Sequence, residues 1–158
     1  MQKTVESFEL DHDLVIAPYI REAGNFKLKG GGSILKLDVR FKQPNIESLT
    51  PEAAHSIEHS LATTLRQVSE NVIDISPMGC LTGFYVTVDE AEVPDAKTFR
   101  TILLKAIGLA LDLDEVPGAS RKNCGYAESH NLREAKEELK KFIAADKDLL
   151  QVFEGEVY

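Results

Sequence analysis

The chain has 158 residues, 43% hydrophobic and 28% charged, a composition that suits one globular domain, 1–158, with a single sizeable core. Acidic residues outnumber basic ones 26 to 18, and the net charge of −8 argues against a nucleic-acid backbone or an anionic membrane surface as the partner. No apolar run nears the ~20 residues of a membrane-spanning helix. The opening MQKTVESFELDH carries neither an apolar signal core nor an arginine-rich transit pattern, so a cytoplasmic protein is expected.

In chain order, the glycines at 30–32 read as a surface turn. The alternation Leu35-Lys-Leu-Asp-Val-Arg-Phe41 predicts a strand with Leu35, Leu37, Val39 and Phe41 toward the core and Lys36, Asp38 and Arg40 on a charged face. Thr50-Pro51-Glu52 predicts a capped helix start, with Ala54, Ile57, Leu61, Leu65 and Val68 as its buried stripe and an end near Glu70 or Asn71. Two strands follow, Val72–Ile75 and Gly83–Val88, on either side of Ser76-Pro-Met-Gly-Cys80. A second helix is expected after Pro94, running to Leu111, and a third from about Asn131 to Ala145, with a short fourth near the end. Strands and helices mix without βαβ alternation, so the expected class is α+β with an antiparallel sheet packed by helices.

The chemistry concentrates in His55-Ser-Ile-Glu58-His59. Histidines at i and i+4 share a helical face and can reach one cation, and Glu58 borders that face, where it can exchange protons without being a ligand. Such a pair needs a third ligand, and Cys80, Cys124, His12 and His130 are the candidates. In a reducing compartment the two cysteines, Cys80 and Cys124, suit free thiols, metal ligands or catalytic groups better than a structural disulfide.

Taken together the segments resemble the S-ribosylhomocysteine lyases, the LuxS family. The likeness runs through Val5-Glu-Ser-Phe-Glu-Leu-Asp-His12, Ala17-Pro-Tyr, Asp38-Val-Arg-Phe-Lys-Gln-Pro-Asn45, His55–His59, Asp74-Ile-Ser-Pro-Met-Gly-Cys80-Leu-Thr-Gly-Phe-Tyr85, Val116-Pro, Asn123-Cys-Gly125 and His130-Asn-Leu. The resemblance implies a metallopeptidase-like α+β fold and a homodimer with sites near the interface, where the amino-terminal segment and Arg66 are candidates for completing the neighbour's pocket. It also implies a divalent metal, Fe(II) with Zn(II) or Co(II) accepted, on His55, His59 and Cys124. Glu58 and Cys80 would then move protons, while Ser7, His12 and Arg40 contact the ribose and Asp74 meets the homocysteine ammonium. The implied reaction converts S-ribosylhomocysteine to homocysteine and 4,5-dihydroxy-2,3-pentanedione by carbonyl migration through enediolates and β-elimination. Leu81 and Ser60 depart from the family pattern, which bears on local packing. Two other readings remain: a small peptidase, since H-x-x-E-H is also the inverted zinc-peptidase motif, and a closed structural site formed by His55, His59, Cys80 and Cys124.

Overall fold

The computed structural model describes residues 4–157. The elements are α1 (Glu6–Glu9), β1 (Tyr19–Lys27), β2 (Ser33–Arg40), α2 (Pro51–Val68), β3 (Val72–Pro77), β4 (Gly83–Asp89), α3 (Ala96–Leu111) and α4 (Leu132–Ile143). The strands form one antiparallel sheet in the order β1-β2-β4-β3, so the α+β expectation holds.

Each long helix starts on a side chain that satisfies an otherwise orphaned amide. Thr50 Oγ1 accepts from Ala53 N at 3.2 Å, Asp95 from Thr98 N at 2.7 Å and Asn131 from Glu134 N at 3.0 Å. The α2 stripe packs as its spacing predicts, with Ala54, Ile57, Leu61 and Leu65 buried, while Val68, on the last turn, is only partly covered. It meets Leu35, Leu37 and Val39 of β2 and Phe84, Val86 and Val88 of β4 in one continuous core. Gly83 is obligatory in β4: a Cβ there would stand 2.3 Å from Val39 O of the neighbouring strand.

Two elements carry too little pattern to be read from sequence. In β1 the burial of Tyr19, Ile20 and Ala23 does not alternate, because the register with β2 shifts between Glu22 and Gly24. Helix α1 has four residues and buries none of them. Among the described residues the expected short helix near the end of the chain is absent. After α4 the chain instead runs back along the sheet edge, where Lys147 Nζ donates to the carbonyls of Ile16, Pro18 and Gln151 at 2.6, 2.9 and 2.6 Å. An ammonium with three carbonyl acceptors ties this segment to the sheet edge, where it runs through bends and turns rather than a helix.

The sheet separates two faces. Opposed antiparallel partners share a face, so the pairs Tyr19↔Arg40, Arg21↔Asp38, Asp38↔Tyr85, Asp74↔Thr87 and Ser76↔Tyr85 place these residues on the side away from the helices. The side expected to carry charge does so, but Asp38 and Arg40 are buried there, 0% and 1% exposed. The amino-terminal segment and β1 cover them, and the charges survive burial because they are paired.

Candidate functional site

On the helical side, His55 and His59 project from α2 toward a loop that carries Cys124 and toward His130, just ahead of α4. Cys124 Sγ lies 3.4 Å from His55 Nε2, 3.8 Å from His59 Nε2 and 3.6 Å from His130 Nε2. Bond lengths of about 2.0–2.1 Å to nitrogen and about 2.3 Å to sulfur give a tetrahedron with sulfur–nitrogen edges of about 3.6 Å. The donor set therefore fits one divalent ion of borderline softness.

The rings are aimed from behind. His55 Nδ1 is 2.8 Å from Ser129 O, and His59 Nδ1 is 2.8 Å from Pro117 O. A carbonyl only accepts, so each Nδ1 carries the proton and each Nε2 turns a lone pair to the centre. Gly118, at φ +65°, makes the turn immediately after the Pro117 carbonyl that orients His59. His130 stacks on His55 with centroids 3.9 Å apart, and its Nδ1 lies 3.0 Å from Ser56 Oγ. Burial and the neighbouring His55 and His59 rings hold His130 below the ordinary histidine pKa, so the neutral, ligating ring is favoured.

Glu58 sits half-buried on the same side of α2 and has no hydrogen-bond or ion-pair partner among the described residues. An uncommitted carboxylate beside a metal centre is free to take and return protons.

The second cluster lies on the opposite face of the sheet. Cavities of about 320 Å³ and 300 Å³ both reach Cys80, Arg40 and His12; Ser7, Phe8 and Tyr85 line the first, Asn45 and Thr82 the second. Cys80 is presented by a turn closed by Leu81 N→Met78 O at 2.9 Å, with Leu81 left-handed at φ 58°, a conformation that costs a non-glycine residue about 1–2 kcal/mol. Its sulfur is 3.0 Å from Thr82 Oγ1, which also accepts from Arg40 Nη1 at 2.9 Å.

Arg40 itself is locked. Burial opposes its charge, but its Nε and Nη2 donate to Asp38 at 3.1 and 2.8 Å and the carboxylate more than offsets that cost. Arg21 and the Tyr19 hydroxyl share the same carboxylate. Burial and the adjacent Asp38 charge together push the Tyr19 hydroxyl well above the ordinary tyrosine range. His12 Nδ1 is anchored 2.8 Å from Leu10 O, and the Ser7 hydroxyl bonds Tyr85, partly countering the upward push of burial on that phenol. Gln43 pins the preceding segment, accepting from Ala17 N at 2.9 Å and donating to Val15 O at 2.8 Å.

The family model for S-ribosylhomocysteinase (LuxS) matches residues 5–152 of this sequence. The chain belongs to the LuxS family. An S-ribosylhomocysteine lyase of Staphylococcus saprophyticus is 44% identical over 139 residues, covering 88% of each chain. One from Listeria monocytogenes is 43% identical over 150 residues, covering 94% of this chain and 95% of its own. A third, from Staphylococcus haemolyticus, is 42% identical over 139 residues.

Against that LuxS membership, the structure brings His55, His59 and Cys124 together as the resemblance implies, and adds His130, which sequence reasoning held only as one of several third-ligand candidates. Its signal was the backbone tie between Asn131 N and Ser56 Oγ, invisible before folding. The closed structural site with Cys80 is corrected: Cys80 lies across the sheet, and no glutamate ligand of the peptidase kind joins the cluster among the described residues. Ser7, His12 and Arg40 do gather around Cys80. Asp74 shares their face of the sheet but is exposed and bonded to Ser76 Oγ at 2.6 Å. No helix among the described residues is long and apolar enough to cross a membrane.

Proposed function

We propose that this protein is an S-ribosylhomocysteine lyase that releases homocysteine and 4,5-dihydroxy-2,3-pentanedione. The observation that carries the reading is the convergence of His55, His59 and Cys124 beside the unpaired Glu58. A divalent ion on those ligands would supply Lewis-acid stabilisation of the negative charge that develops on adjacent sugar oxygens. The donor set accommodates iron(II), zinc(II) and cobalt(II), and we take iron(II) as the working ion. Glu58 removes and returns protons on one side of the carbon skeleton, and Cys80 does so on the other, so that the carbonyl moves along the chain before the thiol is eliminated. Arg40, Ser7 and His12 donate to or accept from the ribose hydroxyls, and Asp74 pairs with the homocysteine ammonium. Both cysteines are free thiols, which supports a role in a reducing cytoplasm.

Within one chain the two clusters lie on opposite faces of the sheet, so the reading requires a homodimer in which the Cys80 pocket of one copy closes over the metal centre of the other. Large apolar side chains left in solvent beside each half-site support this: Phe8, lining the Cys80 cavity, is 83% exposed, and Tyr126, beside Cys124, is 68% exposed. A twofold arrangement would then build two such sites at once.

Anaerobic incubation of iron(II)-loaded protein with S-ribosylhomocysteine, following free thiol with and without chelator, tests the activity. Chelator-sensitive release is expected, and none from a folded, metallated protein would overturn the reading. Mixing Cys80→Ala and Glu58→Gln subunits tests the shared site. Each variant alone is inactive, yet their heterodimers regain one intact site if Cys80 and Glu58 act across subunits, and none if they act within one chain.

A further inference from the structure

We propose that Thr82 is a positioning residue for Cys80: its hydroxyl holds the sulfur in one place as thiol and as thiolate, so that Cys80 can take and return a proton without moving. This rests on the lyase reading, which makes Cys80 a proton carrier, and it names the group that stands behind that carrier.

Thr82 is fixed by its backbone first. Its carbonyl accepts from Phe41 N and Lys42 N, each at 2.9 Å, which ties the turn carrying Cys80 to the end of β2. The residue is buried, and its Oγ1 stands between two groups, 2.9 Å from Arg40 Nη1 and 3.0 Å from Cys80 Sγ. Leu81, the residue between Cys80 and Thr82, is left-handed at φ 58°, a strained conformation for a residue with a side chain.

The direction of each bond follows from the donors. A guanidinium only donates, so one lone pair of Oγ1 belongs to Arg40 whatever Cys80 does. Nε and Nη2 of Arg40 are held by Asp38 at 3.1 and 2.8 Å, which sets the plane of the guanidinium and turns Nη1 to Thr82. Burial opposes the Arg40 charge, while Asp38 and then Tyr19 and Cys80 favour it. The hydroxyl is left with one lone pair and its own proton, and both are available to the sulfur.

With Cys80 as a thiol, the S–H donates to that lone pair. With Cys80 as a thiolate, the hydroxyl turns its proton to the sulfur, and donation from Arg40 polarises it into a stronger donor. Only hydrogens change place. The proton that reaches the sulfur comes from one substrate carbon and goes back to another, and Thr82 keeps its own throughout.

The other titratable groups around the cavity are committed elsewhere. His12 is anchored on Leu10 O, Tyr85 is bonded to Ser7, and the Asp38 carboxylate is shared by Arg40, Arg21 and Tyr19. Among the described residues Thr82 is the hydrogen-bond partner of the Cys80 sulfur.

The test compares Thr82→Val, which keeps the shape and removes the hydroxyl, with Thr82→Ser, which keeps the hydroxyl. Zinc(II)-loaded protein is treated with iodoacetamide across a range of pH, and mass spectrometry follows the Cys80 peptide alone, so that Cys124 does not enter the reading. Thr82→Val should move the alkylation profile to higher pH by about 1–2 pH units, the scale of a lost hydrogen bond to a charged group, and Thr82→Ser should restore it. With S-ribosylhomocysteine, Thr82→Val should lower kcat about 10-fold or more and leave KM nearly unchanged, because Thr82 acts through the sulfur and not on the sugar. Should Thr82→Val fail to fold, Thr82→Ala reads the same profile with less disturbance of its neighbours.

A profile coincident with wild type in the folded valine or alanine variant, a serine variant that behaves like valine, or a change confined to KM would each overturn the proposal. The alkylation profiles do not depend on turnover. Absence of homocysteine release from wild type, with the profiles as expected, would sink the lyase reading and leave the coupling of Thr82 to Cys80 standing, so the two failures are separable.

Discussion

The metal cluster and the Cys80 pocket hold comparable numbers of functional side chains but are built on opposite terms. The cluster is complete within one chain, its rings aimed by carbonyls on neighbouring loops and by a serine on α2 itself. The pocket is a shallow hollow on the outer face of the sheet, its thiol exposed and its rim apolar and uncovered. What is rigid here is the group that must hold a charged ion in one geometry; what is open is the group that must admit a substrate. The buried Asp38–Arg40 pair is the exception on the open side, a fixed cation beneath an accessible cavity.

This contrast can be broken at several points. The largest effect is expected at the cluster, where Cys124→Ala should abolish stoichiometric metal binding and with it all thiol release, as read by metal analysis of purified protein. A full metal complement in that variant would show that the three histidines suffice. Next come Glu58→Gln and Cys80→Ala, which should keep the metal and the melting temperature while lowering turnover by about 10²–10⁴-fold, the scale of a lost general acid or base. A variant retaining most of its turnover would remove that residue from the proton transfers.

On the pocket side, Asp38→Asn leaves the buried Arg40 guanidinium without its carboxylate and should cost about 3–5 kcal/mol of stability, measured by urea unfolding. An unchanged midpoint would mean that Arg21 and Tyr19 do not depend on that charge for their packing.

A smaller, pH-dependent effect is expected at Glu138. Burial opposes its charge, but Lys42 at 2.7 Å and Lys141 at 3.0 Å more than offset that and hold its carboxyl below the ordinary value of 4.5. A carboxyl depressed in the folded state binds its proton more readily when unfolded, so its contribution is complete above about 4.5 and is lost as pH falls through the lower folded-state value. Wild-type and Glu138→Gln stabilities should therefore differ at neutral pH and converge in acid; a constant gap would count against the ion pair. The smallest change is expected at Ser60, whose buried hydroxyl has no partner among the described residues. Ser60→Ala should raise stability by about 1 kcal/mol, and a loss of stability would reveal a hidden hydrogen bond.

The parts legible in the sequence are those where local chemistry repeats. The α2 stripe, the cap at Thr50 and the alternation of β2 could each be read from neighbours a few residues apart. Strand β1 could not, because its bulge destroys the alternation, and the end of the chain looked helical because nothing local reveals the three carbonyls waiting for Lys147. Arg40 was placed on the correct face of β2, but nothing in the alternation showed that this face is covered. Alternation tells which side a residue takes, not whether another segment covers that side.

The spacing of His55, Glu58 and His59 is a property of the sequence alone, since 3.6 residues per turn puts them on one side of any helix they form. The ordered motifs likewise pointed to the family that the match over residues 5–152 shows. Tertiary structure decided the rest: that Cys124 and His130 arrive from 69 and 75 positions away from His55 in the chain to complete the cluster, and that Cys80 does not. It also decided which atom stands behind each imidazole, two carbonyls and one hydroxyl. Those contacts are long-range because the groups that orient a ligand must come from elements that only packing brings together, and no local pattern records their approach.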